Sequence, residues 1–254
     1  CFIARPGYQL MSADLSQIQL RVLADLSRDP GMRLAFIEGA DIHTATAADV
    51  AHKPAEEVTP WERRNAKTLN FGHAFLMGPQ GFLDALARDG ADLEEEEYDL
   101  DWARGFIRRY FAGRPGVQRY QQATIKQAAD DLFIVGPSGR RRWAFELLAS
   151  FDRGIYNAGS RQCVNMPMQD GESLVMWRAL IELRKRLRES KLDASMWLQV
   201  YDAVDLEVKD EDVEETARLV SDVLRNTTQL HVPIEVEVEV GTRWGSMKKL
   251  EVTV

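Results

Sequence analysis

A chain of 254 residues, 45% hydrophobic, is long enough for one large globular domain, or for one core with a substantial subdomain inserted into it. No apolar run approaches the roughly 20 residues of a membrane helix, and no secretory leader pattern opens the chain, so a soluble protein without a membrane partner is expected. The net charge of −8 argues mildly against nucleic acid as a partner. Two cysteines, Cys1 and Cys163, cannot build a disulfide framework, and His43, His52, His73 and His231 lack metal-ligand spacing, which speaks for a reducing compartment and against zinc.

The chain starts at Cys1 in what reads as an extended segment, so sequence upstream is expected to have been removed. "YQLMSAD" suits a short strand near 8–14. The helical spacing of Ile18, Val22 and Leu26 follows, with Ser16 as the expected N-cap, which places Asp14 at a strand-to-helix switch. From His43 to about residue 155 the pattern is almost wholly helical, broken at Pro54, Pro60, "MGPQG", "AGRPG" and "GPSGRR"; the last of these predicts a hairpin between "DLFIV" and "RRWAF". The acidic "DLEEEEYDLD" reads as a solvated helix. Helices near 152–165 and 170–190 come next, then strands over 196–208 folded at "YDA", an amphipathic helix in "DVEETARLVSDVLRN", and a strand near 234–240 that alternates strictly at Ile234, Val236, Val238 and Val240. The expected fold is α+β, an antiparallel sheet backed by helices with a mostly helical insertion.

Three constellations carry chemistry. Asp14 and Asp202 each end or interrupt a strand of the expected sheet without a local basic partner. Alone, each reads as a turn or capping residue; on neighbouring strands they suit Mg²⁺, whose remaining ligands are waters and substrate phosphates. Arg63, Lys67, Phe71 and Phe75 recur every four residues in "ERRNAKTLNFGHAF", a helix face suited to phosphates at one end and a base at the other, although taken alone the helix reads better as surface cations followed by core rings. Arg161, Asn165 and Gln169 repeat the same spacing and suit a minor groove, against the plainer reading of polar residues around a kink at Pro167. Basic runs at 62–67, 108–119, 139–142 and 184–188 suggest a segregated positive surface on an acidic chain.

Taken in order, "SADLSQIQLR", "RRNAKTLNFG" and "LQVYDAVDLEV", with "EGADIH", "NMPMQ" and "VEVGTRW" between and after them, resemble motifs A, B and C of the family A DNA polymerases. The resemblance implies a palm over 1–42 and 156–254 and fingers over 43–155, with the motif B helix near 62–77. It implies template-directed joining of deoxynucleotides to a primer 3′-hydroxyl by two-metal phosphoryl transfer, with two Mg²⁺ ions that Mn²⁺ can replace. Asp14, Asp202 and the carbonyl of Leu15 would hold the metals. Gln17, Gln19, His43, Arg63, Lys67, Phe71 and Phe75 would face the incoming triphosphate, Lys67 also counting as catalytic. Arg161, Asn165, Gln169 and Tyr201 would touch primer-template DNA. A thumb and a nuclease-like domain would lie upstream, and the setting would be the cytoplasm, at the nucleoid, or another reducing compartment that holds DNA. The chain departs from the family where Leu15, Gln19, Phe75, Tyr201 and Ala203 stand in place of Tyr, Glu, Tyr, His and Glu. A polymerase-like module that binds DNA or protein without catalysis is the rival expectation.

Overall fold

The computed structural model describes residues 2–90, 98–148 and 151–252. In chain order the elements are β1 (Tyr8–Leu15), α1 (Ile18–Ser27), α2 (Pro30–Ile37), α3 (Ile42–Ala51), α4 (Pro60–Ala74), α5 (Pro79–Arg88), α6 (Leu100–Gly113), α7 (Pro115–Asp131), β2 (Phe133–Val135), β3 (Arg141–Trp143), α8 (Arg153–Glu189), β4 (Ala194–Val200), β5 (Ala203–Lys209), α9 (Val213–Asn226), β6 (Val236–Gly241) and β7 (Lys248–Leu250). This is the α+β architecture expected. Residues 91–97, which hold most of the acidic run, lie outside the described residues; of that run, Asp99 caps α6 by accepting from the Trp102 N–H at 2.7 Å.

The chain divides into two compact units, Cys1–Ile18 with Gly171–Val254, and Gln19–Asp170. The first is built on an antiparallel sheet ordered β4-β5-β1-β6-β7. Side chains alternate across it with period two. Met11, Ala13 and Leu15 of β1 are therefore buried on one face beside Val204, Leu206, Val236 and Val238. α9 packs on this sheet and buries Val213, Ala217, Val220, Val223 and Leu224 along one stripe. Each large apolar side chain so buried contributes about 1.5–3 kcal/mol. The opposite face takes Ser12, Asp14 and the residues paired with them.

The second unit is helical, with the two-stranded β2-β3 hairpin expected from "GPSG". Its core joins Val50, Leu69, Phe82, Leu86, Ala103, Phe106 and Tyr110. The units part after Ile18 and after Asp170, whereas the resemblance placed the boundaries near 42 and 155. Two buried carboxylates account for the difference. Asp29, at the cap of α2, accepts from the Gly116 N–H at 2.8 Å, and Asp170 of α8 accepts from the Ser138 N–H at 2.7 Å. These bonds tie α2 and the first half of α8 to the helical unit. Gly136 and Gly116 are obligatory at these crossings, since a Cβ there would lie 2.3 Å and 2.6 Å from Asp170 and Asp29.

Two local expectations are corrected. The helices near 152–165 and 170–190 are one helix of 37 residues that runs through Pro167. A proline forfeits one N–H and crowds one preceding carbonyl, a cost that a long, tightly packed helix absorbs. Cys163, Val164 and Met168 around it are buried. At the other junction α1 starts at Ile18, and Gln17, in the left-handed region with φ 57, separates it from Ser16. Ser16 is therefore one residue too early to cap.

Candidate active site

In the first unit the two expected metal carboxylates meet at one end of the sheet. β4 and β5 are joined by only two residues, Tyr201 and Asp202, and the Leu15 N–H donates to the Asp202 carbonyl at 3.0 Å. Register then sets Asp14 opposite Ala203 on one side and opposite Glu237 on the other. Among the described residues neither Asp14 nor Asp202 has an ion-pair partner. Burial, followed by the charges of Asp202, Glu237 and Glu239, pushes the Asp14 carboxyl up to about 6. A half-buried acidic group that its own neighbours resist ionising is a site that favours a cation. The donors are all hard oxygens, so the residues present fit a divalent ion such as Mg²⁺. Tyr201, 85% exposed, occupies the first turn position with φ 51, a strained conformation for a residue with a Cβ, at the place where Asp202 is presented.

One further carboxylate on this strand went unread in the sequence. Asp205 is 2% exposed, and its Oδ1 has no hydrogen-bond partner among the described residues. It pairs with Ser12, two positions along from the Asp14–Ala203 pair, and so shares the face of Asp14. In "VDLEV" it passes for the solvent-facing member of an alternating strand. The available signal was its distance of two residues from Ala203, where the family motif has a carboxylate.

In the second unit, Lys67, Phe71 and Phe75 line one pocket of about 600 Å³ with Arg64, Thr68, Gly72, Met77, Ala85 and Asp89. Phe75 lies one residue beyond α4. Leu76 turns left-handed (φ 56) and the Met77 N–H returns to the Gly72 carbonyl at 2.9 Å, closing the helix without glycine at the turn. The Met77 side chain lies over Gly72, its Cε 1.9 Å from where a Cβ would stand, so a larger residue there would have to displace the end of that methionine. His43 is buried beside this face, its ring 5.8 Å from that of Phe71. Burial, helped by Arg63 and Lys67 and opposed by Asp41, takes its pKa down to about 4, so the ring is neutral at physiological pH. Arg63 forks onto Asp41 at 3.0 and 2.7 Å. Burial alone would raise the Asp41 carboxyl, but hydrogen bonds from Arg63 and Thr44 outweigh it and bring the value to about 2. Gln19 belongs to this unit and Gln17 to the other.

Arg161, Asn165 and Gln169 share one face of α8, since the helix is continuous there. Arg161 and Gln169 are exposed, and the Asn165 Oδ1 is buried without a partner among the described residues. The segregated positive surface expected from the four basic runs is reduced by pairing in each: Arg63 with Asp41, Arg114 with Asp49, Arg142 with Glu146 and Arg186 with Asp222. The acidic partners are near in sequence in one case, Glu146 to Arg142, and distant in another, Asp49 to Arg114.

The family described as DNA polymerase family A matches residues 1–246. DNA polymerase I of Pseudomonas aeruginosa is 37% identical over 243 residues, 96% of this chain and 25% of that protein. The thermostable DNA polymerase I of Thermus filiformis is 39% identical over 248 residues, 98% of this chain and 28% of that protein. A structure of the POL domain of Pol1 from M. smegmatis in complex with DNA primer-template and dNTP superposes with a TM-score of 0.86 at 32% identity, covering 96% of this chain and 41% of that one. The chain thus spans about a quarter of the length of these curated relatives. On the match along nearly its whole length, the chain belongs to DNA polymerase family A.

Proposed function

We propose that this chain is the palm and fingers of a template-directed DNA polymerase that joins deoxynucleotides to a primer 3′-hydroxyl and releases pyrophosphate. The observation that carries the reading is the sheet end at which Asp14 of β1 meets Asp202 of the turn leading into the neighbouring β5, tied by the Leu15–Asp202 backbone bond, with no ion-pair partner for either among the described residues. Asp14, Asp202 and the Leu15 carbonyl would hold two divalent ions, Mg²⁺ or in its place Mn²⁺, which when bound activate the attacking hydroxyl and stabilise the leaving pyrophosphate. In the helical unit Lys67 and Arg63 bind phosphate oxygens, His43 hydrogen-bonds one of them, and Phe71 and Phe75 pack against sugar and base; Gln17 and Gln19 belong to the same proposal as nucleotide contacts. Arg161, Asn165, Gln169 and Tyr201 contact primer and template. The relative from M. smegmatis, solved with primer-template and dNTP, supports both ligands. A thumb and a nuclease-like segment upstream, and a nucleoid setting, belong to the same proposal; among the described residues no helix is long and apolar enough to cross a membrane.

A second reading, a module that binds primer-template or a protein without catalysis, is favoured by Ala203, which removes a carboxylate from the face of Asp14. Primer extension with Mg²⁺ or Mn²⁺, on this chain and on the longer polypeptide proposed to contain it, separates the two. Extension by the longer polypeptide that Asp14→Asn abolishes supports the enzyme. Primer-template binding with no extension under either metal supports the module.

A further inference from the structure

A run of hydrogen bonds inside the helical unit ends on His43 and starts far from it in sequence. Arg114, 2% exposed at the head of α7, sends Nη1 to the Asp49 Oδ2 at 2.6 Å and Nη2 to the Thr46 Oγ1 at 3.1 Å. A guanidinium only donates, so the Thr46 oxygen accepts, and its single proton goes to the nearer of its two acceptors, the Ile42 carbonyl at 2.7 Å, the Asn70 Oδ1 lying at 3.2 Å. Asn70, fully buried on α4, places its Nδ2 3.5 Å from the same carbonyl, 3.1 Å from the Thr46 Oγ1 and 3.1 Å from the His43 Nδ1. The Ile42 carbonyl can only accept, which fixes the sense of the amide: its NH₂ faces Ile42 and His43, its oxygen does not. The His43 Nδ1 is therefore an acceptor.

We infer that Asn70 is a positioning residue that sets the tautomer of His43, so that the neutral ring carries its proton on Nε2 and offers it as a hydrogen-bond donor to a triphosphate oxygen. Thr46 and Arg114 hold Asn70 in turn. The inference rests on the polymerase reading for the identity of the ligand, but the tautomer itself does not. Neutrality of the ring matters to the chemistry. With Arg63 and Lys67 already cationic and Asp41 opposing them, the groups that face His43 leave it a directional donor in place of a third charge. A neutral imidazole without a fixed partner divides its proton between two nitrogens, and only one of those forms can donate from Nε2.

The test is ¹⁵N spectroscopy of the histidine rings in this chain, with the His43 signals assigned through His43→Gln, run beside calorimetric titration of the chain with Mg²⁺–dATP. Wild-type protein should show a single His43 form protonated at Nε2. In Asn70→Leu the two tautomers should mix and dATP affinity should fall by the reciprocal of the fraction still protonated at Nε2, about two-fold for an equal mixture. Asn70→Asp keeps the size and hydrogen-bonding of the site, and its carboxylate should draw the proton onto Nδ1 and raise the titration of His43 above about 4, a reversal that a purely structural asparagine would not produce. An unchanged Nε2-protonated ring in both variants overturns the inference. So does an altered ring with unaltered dATP affinity, provided that Lys67→Ala weakens dATP in the same assay; if Lys67→Ala has no effect either, the polymerase reading is what fails.

Discussion

Asp14 and Asp41 are the same residue in comparable places, one near the end of a strand and one at the cap of a helix, and their surroundings drive them in opposite directions. Asp14 is pushed up to about 6 by burial and by Asp202, Glu237 and Glu239; Asp41 is brought to about 2 because Arg63 and Thr44 donate to it despite its burial. The helical unit neutralises its own charges, through Arg63 with Asp41 and Arg114 with Asp49. At the acidic end of the sheet Glu237 meets Lys249 at 3.6 Å, whereas Asp14 and Asp202 have no ion-pair partner among the described residues. Structural charges are satisfied inside the fold, while charges awaiting a ligand are held at a cost to stability.

Neutralising the acidic end is the strongest way to break that contrast. Asp14→Asn or Asp202→Asn should lower primer extension by roughly 10²–10³-fold or more while primer-template binding persists, because the lost ligand serves the metal and not the backbone contacts. For Asp14 the linkage has a definite sign. Its folded pKa lies above the ordinary value, so it favours the fold at low pH, and that advantage is lost as pH rises from about 4 through about 6. Metal-free Asp14→Asn should lose this part of the pH dependence and, at pH 7, unfold at a higher temperature than wild type. Extension near the wild-type rate, or a lower melting temperature, would show that the acidic end is not poised for a cation.

Lys67→Ala probes the other side of the comparison. A phosphate-facing cation in a partly closed site is worth a few kcal/mol, so nucleotide kcat/KM should drop about a hundredfold with DNA affinity little changed. Unchanged nucleotide kinetics would place the pocket-lining face of α4 outside the reaction.

Asp205 sharpens the contrast at a single residue. A buried carboxylate without a partner among the described residues costs stability, and Asp205→Asn or Asp205→Val should stabilise the metal-free protein by about 1–3 kcal/mol, read as a raised denaturant midpoint. Destabilisation by both would mean that the carboxylate is compensated after all.

The smallest effect concerns sugar choice. Gln19 keeps nearly the bulk of the family's Glu without its charge, and if it faces the sugar of the incoming nucleotide, as proposed above, that bulk opposes a ribose 2′-hydroxyl. Wild-type protein should prefer deoxynucleotides, and Gln19→Ala should admit ribonucleotides far more readily. Equal sugar ratios for the two proteins, measured by incorporation efficiency, would remove Gln19 from that role.

What the sequence disclosed follows from what is local. The alternation of Val236 and Val238, the turn at Tyr201–Asp202 and the switch after Asp14 are short-range patterns, and the sheet they build is the one observed. Pro167 misled because a local rule was outvoted by packing around it. The basic runs misled in part because an acidic partner such as Asp49 for Arg114 arrives from 65 residues away. The link from Arg114 through Thr46 and Asn70 to His43 spans three elements, and no window of sequence contains it.

The hairpin that carries Asp202 has a consequence for which lesions the chain can tolerate. A two-residue connection has no slack, and side chains alternate with period two on either side of it. Losing or gaining one residue there would either unseat Asp202 from the Leu15 N–H or slip β5 against β1, exchanging the faces of Val204 and Leu206 with that of Asp205. Replacing the exposed Tyr201 disturbs neither. The turn is therefore fixed in length: insertions or deletions between Val200 and Ala203 should be missing from functional variants, whereas substitutions at Tyr201 should leave the sheet intact and bear only on the DNA contact proposed for that side chain.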